Sequence, residues 1–172
     1  EKACVYLVGA GPGDPELLTV KAVRLISTAD VVVHDGLVDD AIMALINPSA
    51  RLISVAKRRS RHSVPQDGIN DILVREAKIG QVIVRLKGGD PFIFGRGGEE
   101  VAHLRAAGIE VEVVNGITAG LAAVTALGVP LTHREHAHGV VFVTGHAKPG
   151  DAGTDWQALA ATARQARLTL VI

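Results

Sequence analysis

Cysteine, tryptophan, tyrosine and methionine each occur once in this 172-residue chain, and phenylalanine three times. A lone Cys4 cannot close an internal disulfide, and its place in the apolar run 4–10 marks it as a small core residue. With aromatics at 3%, the core must be aliphatic, built from Val, Leu, Ile and Ala. No excess of one charge exists: 18 Lys and Arg balance 18 Asp and Glu, so nothing chain-wide attracts nucleic acid or an anionic membrane. Any basic site must be local. Long hydrophobic runs are missing as well. The run 4–10 is too short for a signal-peptide core with its cleavage site. The longest, 119–131, falls below the ~20 residues a membrane helix needs and is broken by Pro130. These absences point to a cytoplasmic protein.

What is present in quantity is glycine, 19 residues of 172, within a chain that is 48% hydrophobic. That apolar share is enough for a core and argues against disorder. Strand-like runs fall at 4–8, 30–34, 51–55, 82–86, 111–114, 140–144 and 168–172. Several lack polar alternation, as expected of parallel strands covered on both faces. Between them Leu17, Leu18, Ala22, Leu25 and Ile26 stand at helical spacing, as do Ile69, Ile72, Leu73 and Ala77. Gly80 and Gly108 fall where helices stop. The pattern predicts an α/β, doubly wound fold with a mostly parallel sheet in a first domain, 1–114. A second α/β domain begins at 115. It holds two strands and two helices by 172 and ends on a fresh core strand, which implies that it continues further.

One segment carries more chemistry than packing requires: Arg85-Leu-Lys-Gly-Gly-Asp-Pro-Phe-Ile-Phe-Gly-Arg-Gly-Gly-Glu-Glu100. A strand empties into a glycine loop that opens a helix, the place where open α/β sheets bind ligands. Glycine lets the backbone approach a ligand closely. Asp90 adds an acid, flanked by the cations Lys87 and Arg96. The first strand leads into Gly9-Ala-Gly-Pro-Gly-Asp-Pro15, which resembles a dinucleotide fingerprint but has Asp14 where the third glycine belongs. That spacing argues against a Rossmann NAD site and leaves a tight strand–helix turn or another nucleotide-like ligand.

Lys57-Arg-Arg-Ser-Arg61 follows the third strand, either as a solvated basic loop or as a clamp for a polyanion. Asp35 follows the second strand, as a turn residue or, beside the other loops, a base. His133, His136 and His138 match no compact zinc spacing, so no metal is expected; Arg134 among them suits an anion better.

These segments resemble the tetrapyrrole methylases. The likeness rests on the Gly9–Pro15 turn with its flanks, Asp35-Gly-Leu-Val38, Lys57-Arg58 with His62-Ser63 and Gln66, and the 85–100 block. Gly116-Ile-Thr-Ala119, Pro130-Leu-Thr-His-Arg134 and Val143-Thr-Gly-His146 follow in the family's order. The resemblance implies two α/β domains and methyl transfer from S-adenosyl-L-methionine, leaving S-adenosyl-L-homocysteine, to carbons of uroporphyrinogen III. By position it implies that Pro12, Gly88, Gly89, Asp90, Ile93, Thr118 and Ala119 contact the donor. Asp35 would accept a proton and Lys57 donate one, with Arg96, Glu99 and Arg134 turned toward the tetrapyrrole. It also implies a homodimer. Asn115 stands where the family usually has proline, which predicts a looser hinge.

The rival readings are a methylase of the same fold acting on a later corrin precursor or on ribosomal RNA, and a ligand-binding fragment without turnover. Direct nucleic-acid binding through the 57–61 loop lacks neighbouring aromatics for base stacking.

Overall fold

A computed structural model describes residues 1–56 and 64–172, so Lys57 and the basic loop lie outside the described residues. The chain forms two units, Glu1–Thr118 and Ala119–Ile172.

In the first unit β1 (Cys4–Gly9), β2 (Val31–His34), β3 (Arg51–Ser54), β4 (Ile83–Lys87) and β5 (Glu110–Val114) form one sheet in the order β3-β2-β4-β1-β5. Every pairing is parallel, with β4 central and β1 between β4 (Val5↔Ile83) and β5 (Cys4↔Glu110). The α/β, parallel expectation holds, and its physical basis is visible in the alternation of side chains. Val8, Val32, Val84 and Leu86 point to one face and pack with Ala22, Leu25 and Ile26 of α1 (Val20–Thr28) and Ile42 of α2 (Asp40–Met43). Val5, Leu7, Val31, Val33 and Ile83 point to the other, against Ile69 and Leu73 of α3 (Gln66–Glu76) and Val101 and Leu104 of α4 (Gly97–Ala106). Fully buried Leu7, Ile26, Ile42, Leu73 and Leu104 each contribute about 1.5–3 kcal/mol through burial.

β1 and β4 are neighbours, yet the chain leaves β1 toward β2 and leaves β4 toward β5, on opposite sides. Adjacent strands whose connections diverge define a switch point, and a crevice opens at their carboxyl ends.

Four details depart from expectation. Helix α1 starts later, because Thr19 caps it by accepting from the Ala22 N–H, while Pro15–Leu17 form a short 3₁₀ turn capped by Asp14. A short helix, α2, appears between β2 and β3, begun by the Asp39 side chain and ended before Pro48. Strand β4 is displaced by one residue: Val82 lies before it, held by the Asp30 carboxylate on its N–H, and Lys87 is inside it rather than in the loop. Cys4 is half-buried at the start of β1 rather than in the core, and partial burial pushes its thiol up. No helix among the described residues is long and apolar enough to cross a membrane.

The second unit contains α5 (Ala119–Ala126), β6 (Gly139–Phe142), α6 (Trp156–Ala166) and β7 (Leu168–Val171), with β6 and β7 parallel. Asp155 caps α6 through the Ala158 N–H, and the Thr169 hydroxyl donates to the Leu131 carbonyl at 2.7 Å.

Candidate functional site

The loops leaving β1, β4 and β5 are knitted together at the switch point. Gly11 and Gly89 form an antiparallel bridge, with Gly11 N–H donating to Gly89 O at 3.1 Å and Gly89 N–H to Gly11 O at 2.8 Å. Gly89 adopts φ +63°, a left-handed conformation that a branched side chain resists. Gly116 presses on both: a Cβ there would lie 2.2 Å from Gly89 O, 2.9 Å from Gly9 C and 3.0 Å from Gly11 N. The glycine pattern of the sequence is therefore three loops in backbone contact, leaving no room for a side chain.

Asp90 fastens this junction. Its Oδ1 accepts from Phe92 N–H at 2.8 Å, and its Oδ2 accepts from Asn115 Nδ2 at 3.0 Å and Gly116 N–H at 3.1 Å. The carboxylate, 5% exposed, faces the protein, so what Asp90 offers a ligand is backbone. The Asn115 amide ties its loop to Asp90, a bond that proline at this position could not make. Exposed Pro12 adjoins Gly11, half-buried Thr118 follows the Gly116 contact, and Gly88 and Ile93 flank Asp90. The structure thus brings Pro12, Gly88, Gly89, Asp90, Ile93 and Thr118 onto one rim. Ala119 opens α5 and Arg134 lies exposed in the 133–137 turn, both in the second unit.

Asp35 stands at the carboxyl end of β2. Its Oδ1 accepts the Leu37 N–H at 3.0 Å, leaving Oδ2 toward Arg85 Nη2 at 4.0 Å. Arg85 and Lys87, two residues apart on β4, both turn to the face of α3 and α4, where Glu100 of α4 is fully buried. Glu100 Oε1 takes Arg85 Nε at 3.3 Å and Lys87 Nζ at 3.0 Å. Burial pushes the Lys87 ammonium below its usual range, and attraction to Glu100 partly restores it. Lys87 therefore braces the loop from beneath instead of flanking a ligand, as its place in the sequence suggested.

Arg96 and Glu99, expected to face the tetrapyrrole, form a two-pronged ion pair at 3.1 and 2.9 Å on the surface at the start of α4. The Glu99 hydrogen bond raises the Arg96 pKa. Arg96 (φ +56°) and Phe94 (φ +54°) are both left-handed, a strain that persists only where the surroundings enforce it. A 470 Å³ cavity opens there, lined by Phe92, Phe94, Gly95, Arg96 and Glu99 among others. A larger one, 740 Å³, belongs to the second unit beside Thr144, His146, Lys148 and Trp156, and none of the expected site residues lines it.

Sequence reasoning gave Arg85 and Glu100 no role. The signal available was two cations at alternate positions of an otherwise apolar strand, Ile83-Val-Arg-Leu-Lys87, which require a buried anion partner. For a metal, the described residues offer exposed His133, Glu135 and His136, with ligand atoms within 4.8 Å of one another. His133 Nδ1 already accepts the Glu135 N–H at 3.1 Å, which places its ring proton on Nε2 and opposes coordination there.

A nucleotide-like methyl donor fits the rim on structural grounds. No side chain stands at the glycine junction, Pro12 and Ile93 in its loops are exposed, and the nearby Asp90 carboxylate is already turned onto Asn115 and Gly116.

Comparison with known proteins agrees. The family model Tetrapyrrole (Corrin/Porphyrin) Methylases matches residues 4–172. A siroheme synthase from Nitrosococcus oceani is 56% identical over 159 residues, covering 92% of this chain and 34% of that protein. A uroporphyrin-III C-methyl transferase from Thermus thermophilus, solved as a complex with S-adenyl homocysteine, superimposes with TM-score 0.73 at 48% identity, over 90% of this chain and 64% of that one. A cobalt precorrin-4 methyltransferase superimposes with TM-score 0.79 at 27% identity, over 97% of this chain and 66% of that one. The chain thus spans about a third of the length of the curated relatives it matches. Glycine-joined rim loops, parallel sheet and sequence identity agree, and the chain belongs to the tetrapyrrole methylase family.

Proposed function

We propose that this chain supplies the site for S-adenosyl-L-methionine-dependent C-methylation of uroporphyrinogen III, two successive transfers giving precorrin-2 for sirohaem or cobalamin synthesis. The observation that carries the reading is the junction of Gly11, Gly89 and Gly116 at the β1/β4 switch point, with Asp35 on the same rim one strand away. The 46–48% identity to uroporphyrin-III C-methyltransferases favours this substrate over the later corrin precursor, whose methyltransferase is 27% identical. S-adenosyl-L-methionine supplies an electrophilic methyl group when held by the backbone of Gly88, Gly89 and Asp90 and by Pro12, Ile93, Thr118 and Ala119.

The chain's own residues do the rest. Asp35 is an acceptor whose Oδ1 is anchored by a backbone N–H, so Oδ2 has a defined direction. A pyrrole N–H transfers its proton to that oxygen, which raises the nucleophilicity of the ring carbon. Arg85 cannot take this proton, because guanidinium keeps its own. Holding the reacting carbon and donor near contact supplies several kcal/mol by itself. Arg96, Arg134 and the 57–61 cations answer the carboxylates at the rim of the macrocycle, and Lys57 returns a proton. The same reading places the enzyme in the cytoplasm as a homodimer, which sedimentation of the full-length protein checks.

The test is incubation of the full-length protein with uroporphyrinogen III and labelled methyl donor, counting methyl groups on the product. Two are expected. An unmethylated macrocycle, with donor still bound in titration, would leave only ligand binding. In the same assay Asp35→Asn keeps the affinity for S-adenosylhomocysteine and loses most turnover; undiminished turnover removes Asp35 from the reaction.

A further inference from the structure

Behind the rim, four ionisable groups share one buried space, and only Asp35 among them reaches solvent appreciably. Its side chain is 25% exposed, against 3% for Arg85, 6% for Lys87 and 0% for Glu100. The Arg85 guanidinium is held on three sides. Nε donates to Glu100 Oε1 at 3.3 Å, and Nη1 donates to Val33 O at 3.5 Å and Leu86 O at 3.4 Å. The remaining nitrogen, Nη2, lies 4.0 Å from Asp35 Oδ2, an ion pair at longer than hydrogen-bond distance. Gln66 of α3 also donates to Glu100 Oε1, at 3.4 Å, while bonded to Asn70 at 3.0 Å. Glu100 Oε2 is buried and has no hydrogen-bond partner among the described residues. A carboxylate with one oxygen crowded by three donors and the other empty is not arranged for its own stability. It is arranged to fix what it touches.

We propose that Glu100 is a positioning residue: from the first turn of α4 it orients the Arg85 guanidinium, which in turn holds the Asp35 carboxylate in the direction from which it accepts the substrate proton. This rests on the functional reading above. It adds to that reading a residue that never meets donor or substrate. Arg85 is the middle member and Lys87 the second basic group, so two basic side chains face two carboxyl groups. Residues that orient the ligands of metal sites typically change activity about 10–100-fold when removed, and an effect of that order is expected here.

Glu100→Gln alone strands a buried cation and can unfold the protein, so the deciding variant is E100Q/K87M in the full-length enzyme, which removes one charge of each sign. Turnover with uroporphyrinogen III should fall about tenfold or more. KM for that substrate and the dissociation constant of S-adenosylhomocysteine should stay within about twofold of wild type, because neither molecule meets Glu100. Arg85→Lys, which keeps the charge but reaches Glu100 or Asp35 and not both, should lose turnover in the same way if the double variant does not fold. Wild-type turnover in either folded variant, or a loss confined to KM or donor affinity, overturns the proposal. Failure of the underlying reading looks different: the wild-type enzyme would not methylate the substrate, or Asp35→Asn would turn over normally.

Discussion

Gly116→Ala tests how tightly the three loops are joined. The added methyl would sit 2.2 Å from Gly89 O, whereas carbon and carbonyl oxygen come no closer than about 3.3 Å in ordinary contact. Something must move by about 1 Å, and the atoms in the way are backbone. No side chain can swing aside. Gly89 O is itself the acceptor of Gly11 N–H, so relieving the clash breaks the bridge that joins the first and fourth strand loops. Overpacking of this kind costs about 1–3 kcal/mol and the lost hydrogen bond about 1 more. For a chain of this size each kcal/mol lowers the melting temperature by about 2–4 °C, so a fall of about 4–16 °C is expected. Thermal unfolding by circular dichroism reads the fall, and titration with S-adenosylhomocysteine should show weakened binding. Gly98→Ala is the internal control: nothing lies within 4 Å of its Cβ position in the first turn of α4, and the change should raise stability by up to about 1 kcal/mol. If Gly116→Ala melts within about 1 °C of wild type, the close approach is not real and the packing argument for the junction fails.

Three further perturbations follow. Asp90→Asn replaces one acceptor oxygen with an amide that must face an N–H donor, so it should destabilise by about 1–3 kcal/mol in urea titration; an unchanged midpoint would mean the carboxylate does not fasten the loops. Arg96→Gly relieves a left-handed residue at little steric cost and should leave the melting temperature unchanged or slightly raised while reducing turnover, and a clear loss of stability would show that the strain estimate is wrong. The Arg51 hydrogen bond, opposed by burial, holds the Glu76 carboxyl below its usual range. Its folded pKa lies under the unfolded value, so its contribution is complete above about pH 4.5 and is lost as pH falls through the folded pKa. Glu76→Gln should cost about 1 kcal/mol at pH 7 and progressively less in acid; a loss equal at pH 7 and at pH 3 would refute the coupling.

Fold class was readable because it depends on local chemistry. Uninterrupted apolar runs such as Val31-Val-Val can only be strands covered on both faces, and glycines after strand ends mark where backbone approaches something closely. Asp35 and Asp90 were visible as polar residues shortly after strand ends, and Arg96 as a cation where the glycine loop opens a helix. What those residues do was decided by partners distant in sequence. Asp90 looked like a ligand-facing acid until Asn115 and Gly116 were found on its oxygens. Lys87 looked like a loop cation, but one more residue of strand turned it inward onto Glu100. A chain records which residues are polar, whereas the pairing of β4 with β2 and the docking of α4 determine which of them meet. Charges that face each other across a buried sheet face are a product of topology, and only the folded structure contains it.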